Sequence, residues 1–269
     1  MNKPPHPLAH KAKKRFGQNF LQDPHIIDRI VSAIAPTVDD NIIEIGPGLG
    51  ALTSQLLPLC ERMHAIELDR DIIPKLRVNC ATLGELTIHE TDVLKFDFNQ
   101  LSQSGERLTV VGNLPYNIST PILFHILNYA TIIDDMVFMV QKEVAERITA
   151  QPGNKDYGRL SIMLQYYCET QFLFIVPPES FTPAPKVDSA IIRLIPHKEL
   201  PYRATDEKLF AKVVTQAFSQ RRKTLRNTLK KMVTDDIWQT TNIDPTLRPE
   251  NLSIKQFVCL ANALTQMEN

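Results

Sequence analysis

Between residues 24 and 140, short apolar runs alternate with longer amphipathic segments, and this alternation is the feature that most constrains the fold. The apolar runs are residues 42–45, 63–66, 86–88, 108–111 and 136–140. The amphipathic segments are residues 24–35, 51–57, 72–83 and 119–128. Short continuous apolar runs are typical of strands buried on both faces of a parallel sheet, whereas the other segments have helical spacing. The pattern therefore predicts an α/β fold with a doubly wound sheet.

The second half of the chain begins with a helical pattern over residues 160–167, after which two β-rich stretches follow at 172–176 and 187–194. A proline-rich segment without an obvious crossover helix joins these stretches. They are therefore expected to form an antiparallel pair at one edge of the sheet.

Beyond residue 201 the strand-like runs stop. Apolar residues instead take helical spacing over residues 208–219, 223–233 and 253–264. We therefore predict two domains, a sheet-containing domain over residues 1–200 with a basic leader and a small all-helical domain over residues 201–269.

The composition limits which kinds of site the chain can carry. Of the 269 residues, 43% are hydrophobic, which is enough for one large domain or for a large and a small one. The four cysteines have no Cys-x-x-Cys spacing, so we expect no metal, no disulfide framework and a reducing cytoplasm. No run suits a signal peptide or a transmembrane helix, so we expect no membrane association.

The charges are balanced in number, at 30 basic and 30 acidic residues, but not in position. Residues 1–30 hold six Lys and Arg against two acidic residues, and residues 203–231 hold nine against two. The second cluster is densest at Arg221, Arg222 and Lys223. This asymmetry favours an anionic partner such as nucleic acid, with solvated faces that bind nothing as the alternative.

The leader, by which we mean residues 1–19, carries its own basic group, which consists of Lys11, Lys13, Lys14 and Arg15. Three interpretations stay open for it. It can form a second contact with nucleic acid, it can order over a bound cofactor, or it can be a disordered tail.

A glycine-rich turn follows the first apolar run, in the sequence Glu44-Ile45-Gly46-Pro47-Gly48-Leu49-Gly50. Glycines at the carboxyl end of a strand let the backbone approach a ligand closely. Their alternate spacing differs from the Gly-x-Gly-x-x-Gly fingerprint of dinucleotide sites. The spacing suits S-adenosylmethionine, which has no pyrophosphate to bind, and a tight turn without a ligand is the alternative.

Two acidic residues follow the next two predicted strands. Glu67 ends the second apolar run, where an acid can accept hydrogen bonds from ribose hydroxyls. Asp92 follows the third run, where it can accept a hydrogen bond from an adenine amine. Each acid alone could be a solvated or capping carboxylate. Together with the glycine turn, they predict a nucleoside cofactor at one edge of the sheet.

The fourth predicted strand ends in Gly112-Asn113-Leu114-Pro115-Tyr116. The amino nitrogen of adenine is a poor nucleophile until its N–H groups are held in hydrogen bonds, because its lone pair is delocalised into the ring. The side-chain oxygen of Asn113 and a backbone carbonyl at Leu114 or Pro115 can accept those bonds. Tyr116 can stack on an extruded base. The tetrapeptide therefore predicts catalytic residues for methyl transfer to a planar amine, with a proline turn capped by Asn as the alternative.

The chain resembles the ribosomal RNA adenine N6-dimethyltransferase family over nearly its whole length, and in particular its bacterial small-subunit branch. The motifs that carry the resemblance are Phe16-Gly17-Gln18-Asn19-Phe20-Leu21, the glycine turn with Glu44, Glu67-Leu68-Asp69, Asn113-Leu114-Pro115-Tyr116-Asn117-Ile118-Ser119 and Phe181-Thr182-Pro183-Ala184-Pro185-Lys186-Val187-Asp188-Ser189. The last run is very specific to this family. Leu114 favours the small-subunit branch, because the related antibiotic-resistance enzymes that act on large-subunit RNA typically carry Ile there.

This resemblance implies a Rossmann-like class I S-adenosylmethionine methyltransferase sheet with a small C-terminal all-helical domain. It implies that the cofactor S-adenosyl-L-methionine is bound by Asn19, Leu21, Gly46, Glu67, Asp92 and Asn113. It also implies transfer of four methyl groups to two adjacent adenosines near the 3′ end of 16S rRNA, within the immature small ribosomal subunit. On this basis Arg221, Arg222 and Lys223 are expected to bind RNA, and we expect a cytoplasmic monomer.

Two other functions stay open from the residues alone. A DNA adenine or protein-glutamine methyltransferase would also present a planar nitrogen to such a tetrapeptide. A non-catalytic assembly factor would bind ribosomal RNA and keep the cofactor fold as a scaffold. No histidine is assigned as a base, because a helix-borne residue such as His125 is more often structural.

Overall fold

The computed structural model describes Lys13 and residues 18–102, 105–220 and 222–268. Its strands are β1 (Phe20–Leu21), β2 (Asn41–Ile45), β3 (Arg62–Glu67), β4 (Glu85–Glu90), β5 (Leu108–Asn113), β6 (Ile133–Gln141), β7 (Cys168–Val176), β8 (Phe181–Thr182) and β9 (Ser189–Pro196). Its α-helices are α1 (Pro24–Ile34), α2 (Thr53–Cys60), α3 (Ile73–Cys80), α4 (Ser119–Leu127), α5 (Lys142–Thr149), α6 (Arg159–Tyr167), α7 (Glu207–Ala217), α8 (Leu225–Thr228), α9 (Asp235–Thr241) and α10 (Ile254–Glu268).

The main sheet has seven strands in the order β4-β3-β2-β5-β6-β9-β7. The first five strands in this order run parallel, and β9 is antiparallel to β6. The predicted α/β fold is therefore confirmed. The two late β-rich stretches lie at one edge as expected, with β9 between β6 and β7.

The apolar runs form the middle of the sheet because both of their faces are covered. Ile42 and Ile43 on β2 and Val110 and Val111 on β5 are completely buried. Burying an apolar side chain of this size stabilises the fold by roughly 1.5–3 kcal/mol. At the edge, by contrast, none of the six residues of β4 is fully buried; three are exposed and three are half-buried.

The first helix shows how the local sequence sets an element. Asp23 accepts hydrogen bonds from the amides of His25 and Ile26, which begins α1. Ile26, Ile30 and Ile34 follow one another at four-residue spacing and are all buried. The helix therefore packs its apolar stripe against the core and leaves its polar side outward.

A second, two-stranded sheet was not predicted. Strands β1 and β8 pair antiparallel, with Phe20 opposite Thr182 and Leu21 opposite Phe181. Two residues are too few to show the alternation by which a strand is recognised. This ladder joins the motif that contains Asn19 to the proline-rich run 181–189.

The contacts divide the chain into two compact units. The first unit comprises the described residues up to Ala145 together with Gln171–Pro196, and it contains the core of the sheet. The second comprises Glu146–Thr170 and the described residues from His197 onward. The predicted division at residue 200 therefore differs from these units in the placement of residues 146–170 and 197–200.

Hydrogen bonds explain why residues 146–170 belong to the second unit. The Gln165 side chain donates to the carbonyls of Ile148 and Ala150, both at 2.8 Å, which folds this segment on itself. The Tyr167 hydroxyl donates to Glu207 at 2.8 Å, which ties the segment to α7.

The helical spacing beyond residue 201 was correct for α7 and α10, but the continuous helix predicted over 223–233 was wrong. Only Leu225–Thr228 is helical there. The amide of Leu229 donates to the carbonyl of Leu225 at 2.8 Å, and that of Val233 donates to Leu229 at 2.9 Å. These successive turns give the same four-residue spacing as a helix and bury all three side chains. In the described part of the chain, no helix is long and apolar enough to cross a membrane.

Candidate active site

The carboxyl ends of β2, β3, β5 and β6 open onto a cavity of about 700 Å³ in the first unit. In open α/β sheets, ligands bind outside these strand ends. Four stretches of the chain supply most of its lining, namely residues 18–22, 44–52, 66–68 and 112–118. The cavity therefore brings together motifs that are far apart in the sequence.

The glycine turn after β2 forms one wall of this cavity. The amide of Gly46 donates to the carbonyl of Ile66 at 2.9 Å, which ties the turn to the end of β3. Gly48 has a φ of +56°, and a Cβ at this position would lie 3.3 Å from the ring of Phe20. Both the left-handed backbone and the contact with Phe20 favour glycine at residue 48. The backbone here can consequently approach a ligand closely.

Glu67, at the end of β3, is buried and accepts two backbone hydrogen bonds. The amide of Gly48 donates to it at 3.3 Å and the amide of Asp69 donates at 2.8 Å. Burial raises the pKa of the Glu67 carboxyl, and these amides oppose that rise by stabilising its charged form. Because a carboxylate has about four acceptor positions, Glu67 can still accept hydrogen bonds from a ligand.

Asp69, two residues beyond the end of β3, is a second buried acid, and no separate role was predicted for it. Lys13 Nζ donates to Asp69 Oδ1 at 2.5 Å, and Gln18 Nε2 donates to Oδ2 at 2.9 Å. Burial alone would raise the pKa of Asp69, but the bonds from Lys13, Gln18 and the amide of Asp71 outweigh it, so the pKa is lowered. Gln18 lines the cavity. Asp69 therefore holds leader residues beside the cavity.

Glu44 lies behind the glycine turn and is only 3% exposed. The hydroxyl of Thr53 donates to Glu44 Oε2 at 2.5 Å. Burial raises the pKa of Glu44 to about 7; the Thr53 bond opposes the rise and the charge of Glu67 adds to it. The carboxyl of Glu44 is therefore divided between its neutral and charged forms at neutral pH.

Asn113 ends β5, and a leader residue fixes its side chain. Asn113 Nδ2 donates to the backbone carbonyl of Asn19 at 3.1 Å. This bond uses the amide nitrogen, so Oδ1 is the side-chain atom that can accept a hydrogen bond from a ligand. A Cβ on Gly46 would lie 3.8 Å from the Asn113 carbonyl oxygen, which places Asn113 beside the start of the glycine turn.

The rest of the tetrapeptide continues alongside β6. The amide of Leu114 donates to the carbonyl of Met139 at 3.0 Å, and the Leu114 side chain is buried. The carbonyl of Pro115 accepts a hydrogen bond from the amide of Ile118 at 3.1 Å, in the turn that leads into α4. The carbonyls of Leu114 and Pro115 were both predicted as acceptors for an amine. The Pro115 carbonyl already accepts this hydrogen bond within the turn. The Leu114 carbonyl is the better candidate.

Tyr116 lies half-buried at the rim of the cavity. Its hydroxyl is hydrogen-bonded to the hydroxyl of Ser189 at the start of β9. Burial raises the pKa of the phenol, and the bond to Ser189 opposes that rise. Tyr116 is therefore a neutral aromatic side chain whose ring is held at its outer end.

Two residues considered from the sequence have local roles. Asp92 accepts a hydrogen bond from the amide of Leu94 at 3.0 Å and so caps a short turn, while its neighbours Thr91 and Val93 line the cavity. Its contact with a cofactor stays a prediction. The ring nitrogen of His125 is hydrogen-bonded to the carbonyl of Phe96 at 2.9 Å, which agrees with a structural role.

The structure brings most of the predicted site residues to one cavity. Those that line it are Asn19, Leu21, Gly46, Glu67, Asn113, Leu114, Pro115 and Tyr116. Arg222 and Lys223 are exposed in the second unit. Arg221 and the leader residues Lys11, Lys14 and Arg15 lie outside the described residues. Of the basic group of the leader, the structure describes Lys13 alone, which contacts Asp69 and Asp71.

Comparisons with known proteins agree with this arrangement. A family model described as ribosomal RNA adenine dimethylase matches residues 9–266. The ribosomal RNA small subunit methyltransferase A of Marinomonas sp. is 55% identical over 259 residues, which cover 96% of this chain and 97% of that protein. The protein of the same name from Pseudomonas aeruginosa is 54% identical over 258 residues, or 96% of each chain.

Two solved structures are similar over nearly the whole chain. A dimethyladenosine transferase from Plasmodium falciparum has a TM-score of 0.76 at 28% identity, covering 90% of this chain and 95% of that one. The 23S rRNA methyltransferase ErmE has a TM-score of 0.71 at 25% identity, covering 92% and 100%. Both similarities support the fold described above.

We expect Glu44→Gln to remove part of the pH dependence of stability. Because the native pKa of about 7 exceeds the ordinary value of 4.5, the stabilisation from Glu44 is present below about pH 4.5 and is lost as the pH rises through 7. The free energy of unfolding of the wild type minus that of Glu44→Gln should fall by up to about 3 kcal/mol between about pH 4.5 and pH 8. Urea denaturation across this range measures it, and a constant difference would contradict the assignment.

Proposed function

The chain belongs to the ribosomal RNA adenine dimethylase family, and we propose that it transfers methyl groups from S-adenosylmethionine to the N6 amines of adenosines in 16S rRNA. Its relatives at 54% and 55% identity bear the name ribosomal RNA small subunit methyltransferase A, which supports small-subunit RNA as the substrate. The observation that carries the proposal is the anchored amide of Asn113, which lines one cavity with the glycine turn and Glu67. Family membership favours this function over a DNA adenine or protein-glutamine methyltransferase.

The motifs that resemble the family also supply a more detailed proposal for the substrate, the location and the oligomeric state. The substrate is two adjacent adenosines near the 3′ end of 16S rRNA within the immature small ribosomal subunit, and each receives two methyl groups. The protein acts as a cytoplasmic monomer. The names of its relatives support the small ribosomal subunit as the source of the substrate RNA.

The residues of the cavity fit S-adenosylmethionine in volume and in chemistry. A cavity of about 700 Å³ is in the range that holds ligands of this size. Glu67 offers acceptors for two ribose hydroxyls, and Gly48 leaves room where a side chain would stand. When bound, the cofactor supplies an electrophilic methyl group on its sulfonium.

The tetrapeptide prepares the amine of the target base. Asn113 Oδ1 and the Leu114 carbonyl accept its two N–H groups, which turns the nitrogen lone pair out of conjugation. Asn113 is held by Asn19 and Leu114 by Met139, so both acceptors are fixed before the base arrives. No strong general base is needed, because methyl transfer to the amine depends mainly on the alignment of the nitrogen with the methyl group and on the exclusion of water. The amine loses its proton afterwards.

Exposed basic residues of the second unit supply the RNA-binding surface. Arg222 and Lys223 lie in the turn before α8, next to Arg221 in the sequence. Arg226 also belongs to this group, but it forms an ion pair with Asp235 at 2.8 Å, so part of its charge is compensated. Lys and Arg at such positions bind phosphates, which orients the RNA without reading its sequence.

We expect Asn113→Ala to lower dimethylation of undermethylated small subunits by at least about 100-fold, because it removes an acceptor that acts on the reacting amine. Mass spectrometry of the RNA product gives the position and the number of methyl groups. Binding of the subunit should persist, which sedimentation measures. Asn128→Ala is the control, because Asn128 is exposed and bonds only carbonyls of its own helix in the contacts described.

Two results of that experiment would count against the proposal. Undiminished methylation by Asn113→Ala would remove its role in activating the amine. Methyl transfer by the wild type to duplex DNA or to a release-factor-like protein, with none to the subunit, would refute the substrate.

We expect Asp69→Asn to weaken binding of S-adenosylmethionine by about tenfold, because the buried carboxylate holds Gln18 at the cavity. Asp71→Asn is the matched control. Asp71 contacts the same Lys13 at 2.5 Å but is 71% exposed, and exposed ion pairs contribute only about 0–1 kcal/mol. Isothermal titration calorimetry compares the two, and equal affinities in both variants would contradict the role of Asp69.

We expect the double variant Arg222→Gln/Lys223→Gln to bind small-subunit RNA more weakly and with less dependence on salt. Each lost phosphate contact lowers the slope of log affinity against log salt by roughly 0.7 to 0.9. Lys198→Gln/Lys255→Gln removes the same charge from exposed positions of the same unit outside this cluster and should leave the slope nearly unchanged. Equal slopes in the two double variants would mean that the cluster is only a solvated face.

A further inference from the structure

Ser189 is the last residue of the proline-rich run 181–189, and neither the motif nor the cavity gives it a role. It begins β9 and is completely buried. Its hydroxyl is hydrogen-bonded to the phenol of Tyr116, in the tetrapeptide that lines the cavity. One hydrogen bond therefore connects two motifs that are 73 positions apart.

The order of the strands explains how these two residues meet. Tyr116 follows β5 and Ser189 begins β9, and β6 lies between those strands. Ser189 stands opposite Gln141, the last residue of β6. The amide of Lys142 donates to the carbonyl of Asp188 at 3.0 Å, which fixes the start of β9. Because β6 ends at Gln141, the phenol of Tyr116 can reach Ser189 past the end of that strand.

Both hydroxyls lose free energy if they are left without a partner. Ser189 is completely buried, so loss of the Tyr116 hydroxyl leaves a buried polar atom unpaired, and loss of the Ser189 hydroxyl removes the partner of the half-buried phenol. Backbone hydrogen bonds of Leu114 and Pro115 hold the chain just before Tyr116. The bond to Ser189 holds the far end of the same ring. The long axis of the ring, from the backbone to the phenol oxygen, is therefore held at both ends.

We propose that Ser189 is a positioning residue for the target adenine, because it holds the ring of Tyr116 as a fixed wall on which the base stacks. This inference rests on the proposed function, since it needs a planar base in the cavity. Ser189 does not touch the reacting atoms. Methyl transfer needs the amine in one orientation, and a ring held at one end only would allow several.

The test uses two variants that each remove one hydroxyl. Ser189→Ala and Tyr116→Phe should each lower kcat for dimethylation of undermethylated small subunits by roughly fivefold to tenfold. Affinity for S-adenosylmethionine should change by less than about twofold, because the cofactor contacts lie elsewhere in the cavity. The double variant should be no slower than the slower single variant, because its second substitution removes a hydroxyl that has already lost its partner.

A buried serine of the same unit provides the matched control. Ser180 is 2% exposed and its hydroxyl donates to Asp23 at 3.3 Å, and neither of these residues lines the cavity. Ser180→Ala should keep the wild-type kcat. Thermal unfolding of every variant separates a loss of folding from a loss of positioning. If Ser189→Ala does not fold, Tyr116→Phe carries the test, because its ring and its half-buried position are retained.

The possible failures can be told apart. Wild-type kcat in Tyr116→Phe, or losses that add in the double variant, would overturn the positioning role and leave the proposed function intact. A wild-type protein that does not methylate small subunits would instead refute the proposed function.

Discussion

The site depends on how closely β2 and β5 approach each other where they end. Ile45 pairs with Gly112, and a Cβ at residue 112 would collide with the backbone of Ile45. Because the two strands are parallel, their carboxyl ends emerge side by side, one into the glycine turn and the other into Asn113. The glycine turn and the tetrapeptide are therefore adjacent walls of one cavity, which on the proposed function brings the cofactor and the amine side by side.

The polar groups of the site take their orientation from distant parts of the chain. The leader contributes the carbonyl of Asn19 to Asn113 and the side chain of Gln18 to Asp69. The proline-rich run contributes Ser189 to Tyr116. The leader and this run are themselves joined by the β1–β8 ladder. The sheet thus sets the positions of the polar residues of the site, and the leader and the proline-rich run fix the orientation of their side chains.

The sequence predicted the sheet and the site residues for the same reason. Runs such as 42–45 are apolar because both faces of the strand are covered, and a polar motif directly after a run must lie at the edge of the sheet. Gly46, Glu67 and Asn113 were predicted to lie at this edge in this way, and all three line the cavity. Asp69 was missed because its role depends on Lys13 and Gln18, which are more than 50 residues away. Likewise, the helix expected over 223–233 failed because turns that bury residues at four-residue spacing leave the same pattern as a helix.

Three buried acids in or beside the lining of the cavity differ in pKa because their partners differ. Asp69 has a lysine and an amide side chain as donors and a lowered pKa, whereas Glu44 has one hydroxyl and a pKa of about 7. Burial also raises the pKa of Glu67, and backbone amides partly offset that rise. On the proposed function, a sulfonium cation in this cavity favours the ionised forms of both glutamates.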